Sequence, residues 1–114
     1  MAGFETPRTL ACRRCGHQPS PAEFLDGLKA WWPKVPVLIH LCTQCGEREE
    51  VQIEPDLVLF GYVYAAGTAH FCAMERCAIP GLGVAGREQD LLLTLADREW
   101  RLPPPAQSPR MSRP

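Results

Sequence analysis

Two short stretches, "CRRCGH" at residues 12–17 and "CTQCGE" at residues 42–47, decide how this chain is interpreted. Two residues between paired cysteines let both thiolates of a tight turn point at one ion, and two such turns supply four soft ligands for a tetrahedral centre. A glycine follows each pair and suits a positive φ, which turns backbone amides toward the sulfurs. The spacing therefore predicts one metal site. Its ligands would be Cys12, Cys15, Cys42 and Cys45.

The paired motifs resemble the zinc-ribbon, or rubredoxin-like, families over residues 12–53. This resemblance implies a small β-rich fold and one structural Zn2+. Rubredoxins use the same ligands for iron, so an iron electron carrier is an alternative, but the second cysteine pair lacks the proline typical of rubredoxins. Because four protein ligands leave no coordination position for water or substrate, we expect the ion to be structural rather than catalytic.

The connection between the two pairs is longer than the commonest ribbon spacing and predicts an inserted helix. It contains 26 residues, against about 15 to 20 in that spacing. Ser20 and Glu23 form a capping-box pattern, and Pro21 suits the first helical position. Pro33 ends the apolar helical repeat. These signals predict a helix at about residues 20–31.

The remaining pattern is mostly that of β-strands. Alternating or branched apolar residues predict strands at 35–41, 49–54 and 57–65, with the last at the centre of the sheet. Residues 88–102 allow a helix or a hairpin, and the alternation of Leu91, Leu93 and Leu95 favours the hairpin. The predicted fold class is therefore small β-rich α+β, a zinc ribbon with one inserted helix and a β-rich C-terminal half.

Length and composition predict one domain. The 114 residues are 46% hydrophobic and 22% charged, which suits a single modest core. We expect this domain to span residues 1–102. Residues 103–114 contain five prolines and little apolar surface, and so predict a flexible tail.

Charge and end composition bear on location and partners. Residues 46–100 carry ten acidic and four basic side chains, a poor match for tight non-specific binding to nucleic acid. Neither a signal-peptide pattern nor an apolar run long enough to cross a bilayer is present in the sequence. We therefore expect a cytoplasmic protein with reduced thiols and no membrane partner.

Four side chains near the metal motifs are candidates for interaction with a partner. Arg13 and Arg14 would either balance the negative charge of a thiolate centre or contact phosphate. Trp31 and Trp32 cannot easily face one core together, so one could anchor a protein partner or stack on a base.

Histidines beside the cysteines have a different expected role. His17 and His40 could approach the ion, but beside a full set of four cysteines we expect them in outer positions or at the surface.

For two further motifs we favour a structural explanation over a functional one. "GLGVAG" at residues 81–86 matches a dinucleotide pattern without the required parallel-sheet context, and we interpret it as a flexible loop. Cys72 and Cys77 stand five positions apart, which on a regular strand places them on opposite faces. We favour partly buried free thiols, with a second metal site or a redox pair as alternatives.

These features favour a non-catalytic, regulatory adaptor that is stabilised by zinc and mediates protein–protein interaction. A nucleic-acid-binding or transcription-associated ribbon is the first alternative, and the iron electron carrier is the second.

Overall fold

The computed structural model describes residues 5–32, 37–86 and 90–103, which form one short helix and two sheets. In chain order the elements are β1 Thr6–Pro7, α1 Pro21–Asp26, β2 Leu28–Trp32, β3 Val37–Leu41, β4 Arg48–Glu54, β5 Leu57–Ala66, β6 Thr68–Ala78, β7 Gly83–Ala85, β8 Leu91–Leu95 and β9 Arg98–Leu102. The larger sheet has the order β1-β6-β5-β4-β3-β2, and the smaller sheet has the order β7-β8-β9. A small β-rich chain with one short helix is therefore confirmed.

The helix is half as long as the sequence predicts. Ser20 Oγ accepts the amide of Glu23 at 3.2 Å, as expected of an N-cap, and the helix ends at Asp26. The prediction of helix up to residue 31 is wrong, because Leu28–Trp32 is strand β2. Gly27 explains the early end: a Cβ there would lie 2.4 Å from the carbonyl oxygen of Leu41, so the chain needs glycine to pass against β3.

One hydrophobic core joins the helix and both sheets. Phe24 from α1 meets Phe60 of β5 edge-on, with ring centroids 5.8 Å apart. Val51 and Ile53, two positions apart on β4, are both buried. The other main members of this core are Leu25, Leu28, Leu38, Val58, Ile79, Leu82, Leu91, Leu93 and Trp100.

The C-terminal half contains the predicted hairpin and an unexpected third strand. Strands β8 and β9 pair antiparallel, and Leu91, Leu93 and Trp100 all face the core, so the helical alternative for this segment is wrong. The flexible-loop interpretation of residues 81–86 is also wrong, because Gly83–Ala85 pairs with β8 as β7. A Cβ on Gly83 would lie 2.5 Å from Thr94 Oγ1, so the missing side chain permits this close pairing.

Strands β5 and β6 form a hairpin that extends beyond the rest of the larger sheet. Strand β4 pairs with β5 only from Leu57 to Gly61, whereas β5 pairs with β6 as far as Ala66. We call residues 62–73 the projecting hairpin. Its two tyrosine rings are exposed, and Tyr62 and Tyr64 are each 47% accessible.

A β-bulge at the base of the projecting hairpin changes which face its cysteines share. Phe60 pairs with Glu75 but Gly61 pairs with Ala73, so β6 contains one extra residue at this point. Cys77 and Cys72 consequently lie opposite Val58 and Tyr62, which share one face of β5, and the expectation of opposite faces is wrong. Four strand positions still separate the two thiols, about 13 Å, which is too far for one ion.

Two expectations concern parts of the chain that these elements do not reach. The proposed tail lies outside the described residues apart from Pro103, and its flexibility stays a prediction. Among the described residues, no helix is long and apolar enough to cross a membrane.

Candidate metal centre

The two cysteine turns have the same backbone geometry. In the first turn, the amide of Gly16 donates to the carbonyl of Cys12 at 2.9 Å, and in the second, Gly46 donates to Cys42 at 2.9 Å. The two glycines have φ angles of 80° and 83°, in the left-handed region that glycine enters without a Cβ clash. The predicted reason for glycine after each cysteine pair is therefore confirmed, and we call the two turns the first and second knuckles.

Backbone amides point at the first sulfur of each knuckle. Cys12 Sγ lies 3.3 Å and 3.5 Å from the amide nitrogens of Arg14 and Cys15. Cys42 Sγ accepts from the amides of Gln44 and Cys45 in the same way. Such donors stabilise a thiolate, which is the form that binds a metal ion. The amide of Cys45, opposed by burial and assisted by the amide of Gln44, lowers the pKa of Cys42 to about 6.

The sulfur atoms of the four predicted ligands form one cluster. All lie within 4.8 Å of one another, and the distances are 3.6 Å from Cys12 Sγ to Cys45 Sγ and 3.7 Å from Cys15 Sγ to Cys42 Sγ. A tetrahedral ion with metal–sulfur bonds of about 2.3 Å requires sulfurs about 3.8 Å apart, close to these distances. The cluster can therefore bind one metal ion. Cys42 is buried, while Cys15 and Cys45 are exposed.

The helix joins the two knuckles through one carboxylate. Glu23 Oε2 accepts a 2.6 Å hydrogen bond from Thr43 Oγ1 in the second knuckle and lies 2.7 Å from His17 Nε2 beside the first. The hydrogen bond from Thr43, followed by that from His17, lowers the pKa of Glu23. The side chain of Glu23 thus contacts the knuckles instead of closing a capping box on Ser20, which corrects the expectation for this residue.

The two histidines near the cysteines lie outside the sulfur cluster. His17 contacts Glu23, as described above. His40 is buried and stacks on the ring of Phe24 with centroids 3.9 Å apart. Burial lowers the pKa of His40 to about 4, so the ring is neutral at physiological pH. Both positions agree with the expectation that these histidines lie outside the ligand set.

The predicted interaction residues have different surroundings. Arg13 forms an ion pair with Glu75 of β6, and Arg14 lies 3.6 Å from Glu47. Both guanidinium groups therefore have carboxylate partners, which reduces their availability for phosphate, although contact with a partner stays a prediction. Trp31 and Trp32 belong to β2, but their side chains lie outside the described part, so their role also stays a prediction.

One important residue was missed by the sequence reasoning. The side chain of Arg8 is 9% exposed, and its Nη1 lies 3.1 Å from Glu49 and 3.4 Å from Glu75. Its Nη2 donates to the carbonyl of Ala11 at 2.7 Å. The guanidinium carbon is 3.8 Å from the centre of the Phe60 ring. Arg8 thus joins the segment before the first knuckle to β4, β5 and β6, through contacts that no local pattern indicates.

Cys72 and Cys77 take no part in the metal centre. Both are free and half-buried, and within the described residues the only cluster of potential ligands is the four-cysteine set. Burial raises the pKa of Cys77, which favours the inert thiol form. Their geometry is that of the favoured expectation, partly buried free thiols.

The comparisons with known proteins leave the metal centre as the main guide to function. No protein-family model, curated protein or solved structure matches this chain.

Proposed function

We propose that this protein is a non-catalytic adaptor, in which one structural Zn2+ stabilises a surface that binds another protein. The observation that carries this proposal is the apolar surface of the projecting hairpin and its bulge. Tyr62 and Tyr64 are each 47% exposed, and Met74 is 56% exposed. Tyrosine and methionine are enriched at protein interfaces, where aromatic side chains often supply most of the binding energy.

Zinc is the ion that best suits the proposal. Four thiolates at tetrahedral spacing complete its usual structural coordination and leave no position for a substrate. The inserted helix departs from the compact rubredoxin arrangement, which makes iron and electron transfer the weaker alternative. A reducing compartment such as the cytoplasm would keep the four thiols available for the metal.

Contacts from the first knuckle link the metal centre to the base of the projecting hairpin. Arg13 of this knuckle pairs with Glu75, one residue from Met74 at the bulge. Arg8 contacts the same carboxylate from the segment before the knuckle. Because the metal fixes the first knuckle, we expect its removal to release these contacts and to weaken partner binding.

Two measurements test the proposal. Native mass spectrometry with metal analysis should find one zinc and no iron in a colourless protein. Quantitative pull-down should then compare the wild type with Tyr62→Ala/Tyr64→Ala, Trp31→Ala/Trp32→Ala and the control Glu54→Gln, an exposed residue of β4. We expect specific partners to be lost with the first variant and kept with the control.

Identical partner sets for all of these proteins would contradict the adaptor proposal. Salt-dependent binding of the wild type to a mixed oligonucleotide pool would instead favour the nucleic-acid alternative. A red protein containing iron would favour electron transfer.

A further inference from the structure

A groove of about 620 Å³ lies between the first knuckle, β4 and the base of the projecting hairpin. Phe60, Gly61 and Tyr62 line it from β5, and residues 47–50 line it from the second knuckle and β4. Its remaining wall consists of Thr6, Arg8, Arg13, Met74 and Glu75. The groove is large enough for one or a few side chains of a partner.

The charge of the groove is negative. Its lining contains four glutamates, at positions 47, 49, 50 and 75, and three arginines, at positions 8, 13 and 48, which gives a net charge of −1 for the lining residues. Arg14, outside this lining, pairs with Glu47. Four thiolates around a divalent ion would add a charge of −2 beside it. A cationic ligand therefore complements this surface, whereas a phosphate group would meet several carboxylates.

The protein already binds one of its own cations on this surface. The guanidinium of Arg8 lies over the Phe60 ring at 3.8 Å while pairing with Glu49 and Glu75. An aromatic face with carboxylates around it is a favourable site for arginine or lysine. Phe60 is 3% exposed, so this first position is closed to a partner.

Tyr62 offers the next position along the same face of β5. It stands two residues beyond Phe60, and side chains two residues apart on a strand share a face. Its exposure of 47% leaves the ring accessible, and Glu47, whose carboxylate lies 3.6 Å from the exposed Arg14, lines the same groove. Tyr64 continues the row, with its ring 5.2 Å from that of His70.

Backbone pairing is not the expected mode of recognition here. Beyond Gly61, the described residues of β5 have no pairing with β4 that would use their backbone amides. The amide of Val63 nevertheless already donates to Glu50 Oε1 at 2.9 Å, so it is not available to a partner strand. A partner would therefore be recognised through its side chains rather than by adding a strand at this point.

We propose that this groove binds an arginine- or lysine-bearing segment of a partner protein, with the cationic side chain stacked on Tyr62. The inference rests on the proposed adaptor function and specifies the chemistry of the partner. The partner's cation would stack on the ring and displace the exposed Arg14 from Glu47. These two contacts would together repeat the arrangement that Arg8 makes with Phe60, Glu49 and Glu75.

Selection from a random short-peptide library against the full zinc-loaded chain tests this chemistry. We expect the selected peptides to be enriched in arginine or lysine and to bind more weakly as NaCl is raised. Tyr62→Ala should weaken fluorescence-anisotropy binding about tenfold or more, and Tyr62→Phe should restore most of it because the ring remains. Glu47→Gln should also weaken binding, while Glu54→Gln should not.

Zinc content and thermal unfolding show whether each variant is folded. If Tyr62→Ala does not fold, Glu47→Gln still tests the proposal. Selection of acidic or uncharged peptides, a failure to select any peptide, or affinities unchanged by both substitutions would overturn the inference. The adaptor proposal has its own readout. Partners lost from Tyr62→Ala/Tyr64→Ala in the pull-down, together with a selection free of basic peptides, would preserve that proposal and remove this one.

Discussion

Thr43 Oγ1 donates a 2.6 Å hydrogen bond to Glu23 Oε2, so the only helix of the described residues directly holds the second knuckle. The same carboxylate oxygen contacts His17 beside the first knuckle. Groups that orient metal ligands from outside the coordination sphere commonly change metal affinity by about 10- to 100-fold when removed. Glu23 therefore has a measurable role although it is not a ligand.

Glu23→Gln should weaken zinc retention by about tenfold. The amide is a weaker hydrogen-bond acceptor for Thr43, and the negative charge of the carboxylate beside His17 is lost. Competition with a chromogenic chelator measures the effect. Glu54→Gln provides a control at an exposed carboxylate on β4. Equal zinc affinity in both variants would show that Glu23 does not stabilise the centre.

Cys42→Ser should abolish metal binding and unfold the knuckle region. Structural zinc contributes about 10 to 16 kcal/mol of apparent binding free energy in small zinc domains, and much of this appears as folding free energy. Native mass spectrometry should find one ion in the wild type and in Cys72→Ser, and none in Cys42→Ser. Two ions in the wild type, or one in Cys42→Ser, would contradict the four-cysteine assignment.

Arg8→Met should reduce the free energy of unfolding by about 3 kcal/mol, because it leaves the half-buried Glu49 without its cation and Glu75 with Arg13 alone. Adding Glu49→Gln and Glu75→Gln should recover part of the loss. Urea denaturation of zinc-loaded protein measures both steps. A loss below about 1 kcal/mol would mean that solvent screens the cluster as it screens a surface ion pair.

Gly61→Ala should be more damaging than Gly67→Ala. A Cβ on Gly61 would lie 2.0 Å from the carbonyl oxygen of Cys72, so β5 and β6 would have to separate at the bulge, at a cost of about 2 kcal/mol or more. Gly67 has φ 93° and open space around it, and alanine there costs about 1 kcal/mol through backbone strain. Equal melting temperatures would argue against the close strand approach.

Asp26→Asn should flatten the acid limb of the stability curve. The hydrogen bond from Trp100 Nε1 at 2.8 Å, followed by that from Arg98, lowers the pKa of Asp26 below its ordinary value of 3.8. The ionised form therefore stabilises the fold above that pH, and this contribution is lost as pH falls through the lower folded value.

At neutral pH, the loss from Asp26→Asn should be under about 1 kcal/mol, since Asp26 is half-exposed and screened by solvent. Thermal unfolding between pH 3 and pH 7 measures the difference from wild type. Asp97→Asn, in the turn between β8 and β9, is the matched control. Parallel curves for Asp26→Asn and wild type would contradict the assigned contribution.

Local patterns predicted the parts of the structure that depend on local chemistry. The cysteine spacing identified the four converging sulfurs because each knuckle is a self-contained turn. Alternating leucines identified the β8–β9 hairpin because its core face is set by neighbouring residues. Residues 20–26 likewise had cap and proline signals. Gly27 alone does not predict that the next five residues form a strand and pair with β3.

Contacts between distant parts of the chain could not be predicted in this way. Arg8 is buried because Thr6 pairs with Glu75, a neighbour far away in the sequence. The bulge that realigns Cys72 and Cys77 depends on how β6 meets Gly61, and no residue type at this position requires it. The projecting hairpin follows from where β4 stops pairing, which depends on the path into the second knuckle.

The pairing of Thr6 with Glu75 also has a consequence for biosynthesis. On the ribosome, both knuckles are translated before β6 begins at Thr68, so a metal ion can be bound while β1 still has no partner strand. We expect the nascent chain to acquire its metal before β1 pairs with β6. When this metal is scarce, the chain would leave the ribosome with its two knuckles unconnected and β1 less firmly held against β6, a form more exposed to proteolysis.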